Sequence, residues 1–227
     1  MAGKRAAAAA SVLQEAPPPI GWVHAPQQDR SRRTLSRLLD ATEQIIRRDG
    51  VEAVTVPAVA REAGSSVGSF YARFPDKAAL LRTLHQRACE ETQSTAAAAL
   101  DPARWADVGT EELVRLFIGF AVRLFHQRKP MMLAFASTLG GDPGFAERRA
   151  RSAAVVAERL RALLLARRAD LAHPRPAEAI DMSLRVVTAT LEQRNALEAG
   201  GPEATVSDEH LAGELSRMVI GYLGIRR

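Results

Sequence analysis

Between Thr55 and Leu80 the chain starts and stops helices so often that only two very short ones fit before a long one begins. Thr55 can cap a helix with its hydroxyl, and Pro57 falls in the first turn, where a missing N–H leaves no bond unmade. Ala63-Gly64-Ser65-Ser66 then interrupts the pattern. Gly64 takes a positive φ without strain, and Ser66 caps a second helix that runs through Phe74. Pro75 ends it, and Asp76 caps a long helix in which Leu80, Leu81, Leu84 and Ala88 face inward. Upstream, from Ser31, Leu35, Leu38, Leu39, Thr42, Ile45 and Ile46 recur at the spacing of one helix face, and Gly50 stops the run. Two short helices joined by a glycine-containing turn, braced by a third, form a helix-turn-helix over residues 55–74. Ala60 and Ala63 permit close helix packing, with Val59 and Phe70 at the centre.

The rest of the chain reads as helix too. Ala, Leu, Arg and Glu dominate, aromatics are only 5%, and short β-branched runs between turns are scarce, so the expected class is all-α. Residues 1–29 hold Pro17-Pro18-Pro19 and an alanine run without helical or strand period, the composition of a disordered tail. Glu111–Arg128 carries apolar residues on two faces, which marks a central helix. Pro130 is expected to open a new segment, a basic amphipathic helix runs to about Ala169, and Ala177–Ala199 and Asp208–Leu223 close the chain.

Cys89 is the only cysteine, so no intrachain disulfide is possible, and a reducing cytoplasm is the expected location. Arginine recurs throughout the apolar segments and no stretch approaches the ~18 apolar residues of a membrane helix, so no membrane partner is expected. Charge is unevenly placed. Residues 30–87 hold 11 Lys and Arg against six Asp and Glu, an excess that equals the whole formal net charge of +5. A basic module joined to a neutral one suits a nucleic-acid reader with a separate sensing or assembly part.

The string from Thr55 to Leu80, with its Thr opening, Ala60-Arg61-Glu62-Ala63-Gly64 turn, Tyr71-Ala72-Arg73-Phe74 close and Lys77-Ala78-Ala79-Leu80, resembles the DNA-binding region of the tetracycline-repressor (TetR) family. The likeness covers about residues 31–88. Ser65 and Pro57 depart from it, standing where the family usually has an aliphatic and a polar or basic residue. The resemblance implies a three-helix DNA-binding domain over residues 30–90 and a helical ligand-binding and dimerisation domain over 91–227. It implies a ligand-responsive repressor that binds a palindromic operator in double-stranded DNA as a homodimer, with a small-molecule effector and no cofactor or metal. Thr55, Tyr71 and Lys77 are then expected at phosphates, and Ser66, Val67, Gly68, Ser69 and Arg73 towards the groove. Arginine suits bidentate contact with guanine. Gly68, costly within a helix by about 1 kcal/mol against alanine, makes sense where backbone approaches DNA.

Two further sets are candidates. Phe117, Phe120, Leu124, Met131, Met132 and Phe135 can line an apolar effector cavity. Ile180, Leu184, Val187 and Leu191, with Leu211, Leu215, Val219 and Tyr222, form stripes from which a four-helix dimer interface can be built, or which fill the chain's own core. Gly64-Ser65-Ser66-Val67-Gly68 also spells a hydrolase nucleophile elbow, but that turn needs a preceding strand, and here a helix precedes it. No enzyme is expected. The competing function is a ligand-binding or scaffold dimer without operator recognition.

Overall fold

The computed structural model describes residues 26–197 and 206–226, which are helical apart from turns, short connections and one isolated antiparallel bridge between Leu171 and Ile225. The α-helices are α1 (Pro26–Asp49), α2 (Val56–Glu62), α3 (Val67–Tyr71), α4 (Lys77–Ala99), α5 (Thr110–Leu139), α6 (Pro143–Leu165), α7 (Pro176–Leu197) and α8 (Asp208–Leu223). Three short 3-10 turns, Val51–Ala53, Pro102–Trp105 and Arg168–Asp170, punctuate them. None of the described helices is long and apolar enough to cross a membrane.

The chain forms two compact units. The first joins the described residues up to Glu91 with Arg128–Ser152. Its core takes Leu38, Ile45 and Ile46 from α1, Val59 from α2, Phe70 from α3, Leu80, Leu81 and Leu84 from α4, and Met131, Phe135 and Leu139 from α5. Thr42, also buried on the α1 stripe, satisfies its hydroxyl on the Leu38 carbonyl at 2.7 Å. The apolar face expected of the first helix is the face it buries.

Two boundaries differ from expectation in this unit. Helix α1 begins at Pro26, so residues 26–29 are helix, while residues 1–25 of the expected tail lie outside the described residues. Proline is pre-set for a first helical turn, and the Gln and Arg residues that follow are good helix formers. Helix α3 ends at Tyr71 instead of continuing to Phe74, because the Arg73 and Phe74 amides both close on the Phe70 carbonyl at 2.9 Å.

The second unit comprises Thr92–Gln127 and the described residues from Ala153 onward. Trp105 lies at its centre, its indole N–H donating to the Ala99 carbonyl at 2.7 Å. Leu113, Val114, Ile118 and Val122 of α5 pack there with Leu160 and Leu164 of α6, Ile180 and Leu191 of α7, and Leu215 and Leu223 of α8. The Thr110 hydroxyl donates to the Asp170 carboxylate at 2.5 Å, and the Arg226 N–H reaches the Asp170 carbonyl at 3.0 Å, which ties the C-terminal strand of chain to the start of α5.

Here the sequence reading needs correction at Pro130. No new segment opens there, since α5 runs unbroken for 30 residues with Pro130 inside it. Proline removes one backbone donor, but burial of Met131, Ala134, Phe135 and Leu139 beyond it holds the helix together.

Candidate nucleic-acid interface

The local signals of the helix-turn-helix do what their chemistry prescribes. Thr55 caps α2, its hydroxyl accepting from the Ala58 N–H at 3.3 Å, and Pro57 sits in the first turn. Gly64 has φ +55°, and the Ser65 N–H closes the turn on the Ala60 carbonyl at 2.8 Å. Ser66 caps α3 by accepting from the Ser69 N–H at 3.1 Å. The serine of the hydrolase-like string is therefore engaged as a helix cap after a helix. Ser65, where an aliphatic was expected, is half-buried.

Phe70 is the one buried side chain of helix α3. Phe70 is 0% exposed, as is Val59 of α2 opposite it, and the Phe70 ring lies edge-on to Tyr71 and tilted against Phe74, both at 5.5 Å. Burying Phe70 turns the remainder of this short helix outward. Val67 is 42% and Tyr71 56% exposed, and Ser66, Gly68 and Thr55 are exposed beside them, with Ser69 half-buried. A Cβ added at Gly68 would meet nothing closer than the Ser66 hydroxyl at 3.8 Å, so the fold itself does not require glycine there. Exposed Arg32, Arg33 and Arg37 project from α1, where Arg33, Thr34, Ser36 and Arg37 line an open hollow of about 480 Å³.

Two cations that the family resemblance places at DNA have partners inside the protein. The half-buried Arg73 donates through Nη1 to the Ser69 carbonyl at 2.9 Å and through Nη2 to the Ser31 hydroxyl at 3.3 Å. Lys77, also half-buried, donates from Nζ to the Val51 carbonyl at 2.7 Å. No sequence signal marks these contacts, because Ser31 and Val51 lie 42 and 26 residues away. Asp76 caps α4 as expected, accepting from the Ala79 N–H at 2.6 Å.

A buried titratable cluster lies elsewhere in the same unit. The His85 ring packs at 5.0 Å from Phe135 and 4.6 Å from Phe145, its Nδ1 accepts from Arg148 at 3.4 Å, and Cys89 Sγ lies 3.6 Å from its Nε2. Burial above all, then the neighbouring Arg148 and Arg149, pushes the imidazole pKa down to about 4, with Asp142 opposing. Burial likewise pushes the Cys89 thiol up. Among the described residues no three His, Cys, Asp or Glu side chains group as metal ligands.

The effector candidates are shared between the two units. Met131 and Phe135 are core residues of the first, whereas Phe117 and Phe120 pack half-buried against the core of the second. Leu124 and Met132 are half-buried. The apolar stripes of the last two helices also divide. Ile180, Val187, Leu191, Leu215 and Val219 are buried in the chain's own core, which corrects their reading as an open interface. Leu184 and Leu211 are half-buried, and Tyr222 is 45% exposed. Met182 of α7 and Met218 and Tyr222 of α8 remain exposed outside the buried stripe.

Residues 38–84 match the family model for bacterial regulatory proteins of the tetR family. Among solved structures, the chain is similar to a TetR family transcription regulator from Marinobacter aquaeolei VT8, at 21% identity over 88% of this chain and 100% of that one, with a TM-score of 0.53. It is similar also to Salmonella enterica GusR, at 18% identity over 84% and 95% of the two chains and a TM-score of 0.58. The fatty acid degradation regulator FadR from Bacillus halodurans matches at 15% identity over 84% and 99%, with a TM-score of 0.57. At these identities the likeness is one of fold. A search of the curated proteins returns no match.

Proposed function

On the match of residues 38–84 to the tetR family model and on the likeness of fold, we propose that the chain is a transcription regulator of the TetR family: a homodimeric, ligand-responsive repressor of a palindromic operator. The observation that carries the proposal is the outward face of α3. A helix of five residues, pinned by Phe70, presents Val67, Gly68 and Tyr71 to solvent directly after a capped turn, with exposed arginines on α1 in the same unit. Small side chains at the tip let backbone and methyl groups approach base edges, and Thr55 and Tyr71 supply hydroxyls for phosphates.

One such helix touches few base pairs, so recognition takes two, about 34–36 Å apart on one face of the duplex. The partner is a second copy. The outward sides of α7 and α8 offer it Met182, Met218 and Tyr222, exposed by 47%, 42% and 45%, together with the half-buried Leu184 and Leu211. An apolar effector near Phe117, Phe120 and Leu124 acts by its differential affinity for the DNA-competent and DNA-incompetent states of the dimer.

The test is a gel shift with the promoter region beside the protein's own gene, against a random duplex of equal length. Preferential binding is expected, with affinity falling about 10³–10⁵-fold between 50 and 200 mM salt if 6–10 phosphates are neutralised. Equal binding to both duplexes, or none, refutes operator recognition and leaves a ligand-binding or scaffold dimer. Met218→Glu with Tyr222→Glu is expected to give folded monomers by sedimentation that lose the operator. A dimer in that variant places the interface elsewhere.

A further inference from the structure

We propose that Arg73 is a positioning residue, which sets the angle of the reading helix by tying its last turn to the start of α1, and that it reads no base. The inference rests on the DNA-binding reading above and deepens it. A guanidinium has five N–H donors and no acceptor, so its role follows from where those donors are spent. Here Nη1 donates to the Ser69 carbonyl at 2.9 Å and Nη2 to the Ser31 hydroxyl at 3.3 Å. Nε is enclosed, with no hydrogen-bond partner. Two of the five N–H groups are therefore spent within the protein and a third is shut in, and side-on bidentate contact with a guanine through Nε and an Nη requires the group to leave this site first.

The reason for the contact lies in how α3 ends. The Arg73 N–H, which an unbroken helix would give to Ser69, closes instead on the Phe70 carbonyl at 2.9 Å. That leaves the Ser69 carbonyl at a helix C-terminus, where the aligned peptide dipoles attract a cation, and the Arg73 side chain folds back to satisfy it. The same guanidinium continues to Ser31 on a different helix. A five-residue helix cannot hold its own direction in water, so α3 depends on its attachments. Phe70 fixes its depth, and the bridge through Arg73 to Ser31 fixes its rotation relative to α1, and with it where Val67, Gly68 and Tyr71 point. Lys77 makes the corresponding tie between α4 and the Val51 carbonyl at 2.7 Å.

Arg73→Ala, Arg73→Lys, Ser31→Ala and the double variant Ser31→Ala with Arg73→Ala, all in the full chain, separate this role from its rivals. In the free protein, amide exchange across Val67–Tyr71 is expected to quicken about tenfold in Arg73→Ala, and partly in Ser31→Ala, the scale of one charge-assisted hydrogen bond. The double variant should add nothing to Arg73→Ala. On DNA, Arg73→Ala should weaken the operator about tenfold, leave the random duplex within about twofold, and return unchanged base preferences from a randomised-operator selection. Arg73→Lys, which keeps one tie, should recover part of the loss.

A change of preference at one position of each half-site makes Arg73 a base reader and overturns the proposal. Equal weakening on both duplexes, with a salt slope shallower by about one per half-site, makes it a phosphate contact and does the same. Unchanged amide exchange also refutes the tie. Loss of the operator alone in a poorly folded Arg73→Ala is resolved by Ser31→Ala, a change at an exposed hydroxyl. If the wild type itself prefers no operator, the proposed function fails, and the exchange result decides the tie without reference to DNA.

Discussion

The unit that holds α2 and α3 and the second unit come from one chain but are specified differently. Around α2 and α3 nearly every boundary has a chemical cause within four residues of it: Thr55 and Ser66 at helix starts, Gly64 at the turn, Asp76 before α4. In the second unit caps also occur, Ser207 before α8 and Gly224 after it, but which apolar side of a helix turns inward follows burial. Helices α7 and α8 turn one apolar side inward and leave Met182, Met218 and Tyr222 outside. Where local chemistry sets a boundary, the outward residues can be named from it. Where burial sets it, a stripe serves a core or an interface equally well until the packing is known.

The sharpest way to break that contrast lies within α8. Leu215→Glu places a carboxylate in the buried core and is expected to unfold the second unit, a loss of several kcal/mol or more. Met218→Glu, three residues on at a 42% exposed site, should change stability by less than about 0.5 kcal/mol in the monomer. Urea melts of both followed by circular dichroism decide it. Equal effects erase the distinction between inward and outward stripe.

Phe70→Ala tests the other unit. Removing the ring that anchors α3 is expected to cost about 3–5 kcal/mol in chemical denaturation. A cost below about 1 kcal/mol contradicts the view that one buried aromatic orients the reading helix.

Acid titration reaches the buried cluster on α4. The folded His85 binds a proton only near pH 4, and the unfolded chain near pH 6.5. The contribution of neutral His85 to stability is therefore complete above about pH 6.5 and is lost as pH falls towards 4, by roughly 3 kcal/mol. His85→Gln should flatten that part of the pH–stability curve. An unchanged slope assigns it to other groups.

The smallest effects belong to single caps and to Gly68. Ser66→Ala is expected to cost about 1 kcal/mol by leaving the Ser69 N–H without its cap. Gly68→Ala should do the opposite, stabilising the protein by up to about 1 kcal/mol, since the site has room for a methyl. The same variant should weaken operator binding if backbone comes close to DNA at this point. A Gly68→Ala protein that binds as well as wild type removes that reason for the glycine.

Much of the unit that holds α2 and α3 was legible in the sequence because its signals are short-range. The caps, the positive φ of Gly64 and the buried Val59 and Phe70 follow from periodicity and side-chain chemistry within a few residues, and the outward Val67 and Tyr71 were implied by the family resemblance. The partners of Arg73 and Lys77 were not legible, since a flexible cation is equally satisfied by a phosphate or by a carbonyl brought near by folding. The same holds for α5, where Pro130 is a stop signal that burial on the far side outweighs.

By itself the sequence determined that the chain is helical, that a capped pair of short helices surrounds a glycine turn, and that the net positive charge is concentrated in residues 30–87, the segment that contains them. These are properties of neighbouring residues and of composition, and they survive any arrangement of the remaining helices. Only the tertiary structure decided which apolar side of α7 and α8 is spent internally, which core each of Phe117, Phe120, Met131 and Phe135 joins, and that Arg73 points back to Ser31. Those outcomes depend on contacts between residues tens of positions apart, where several partners of like chemistry compete and packing selects one.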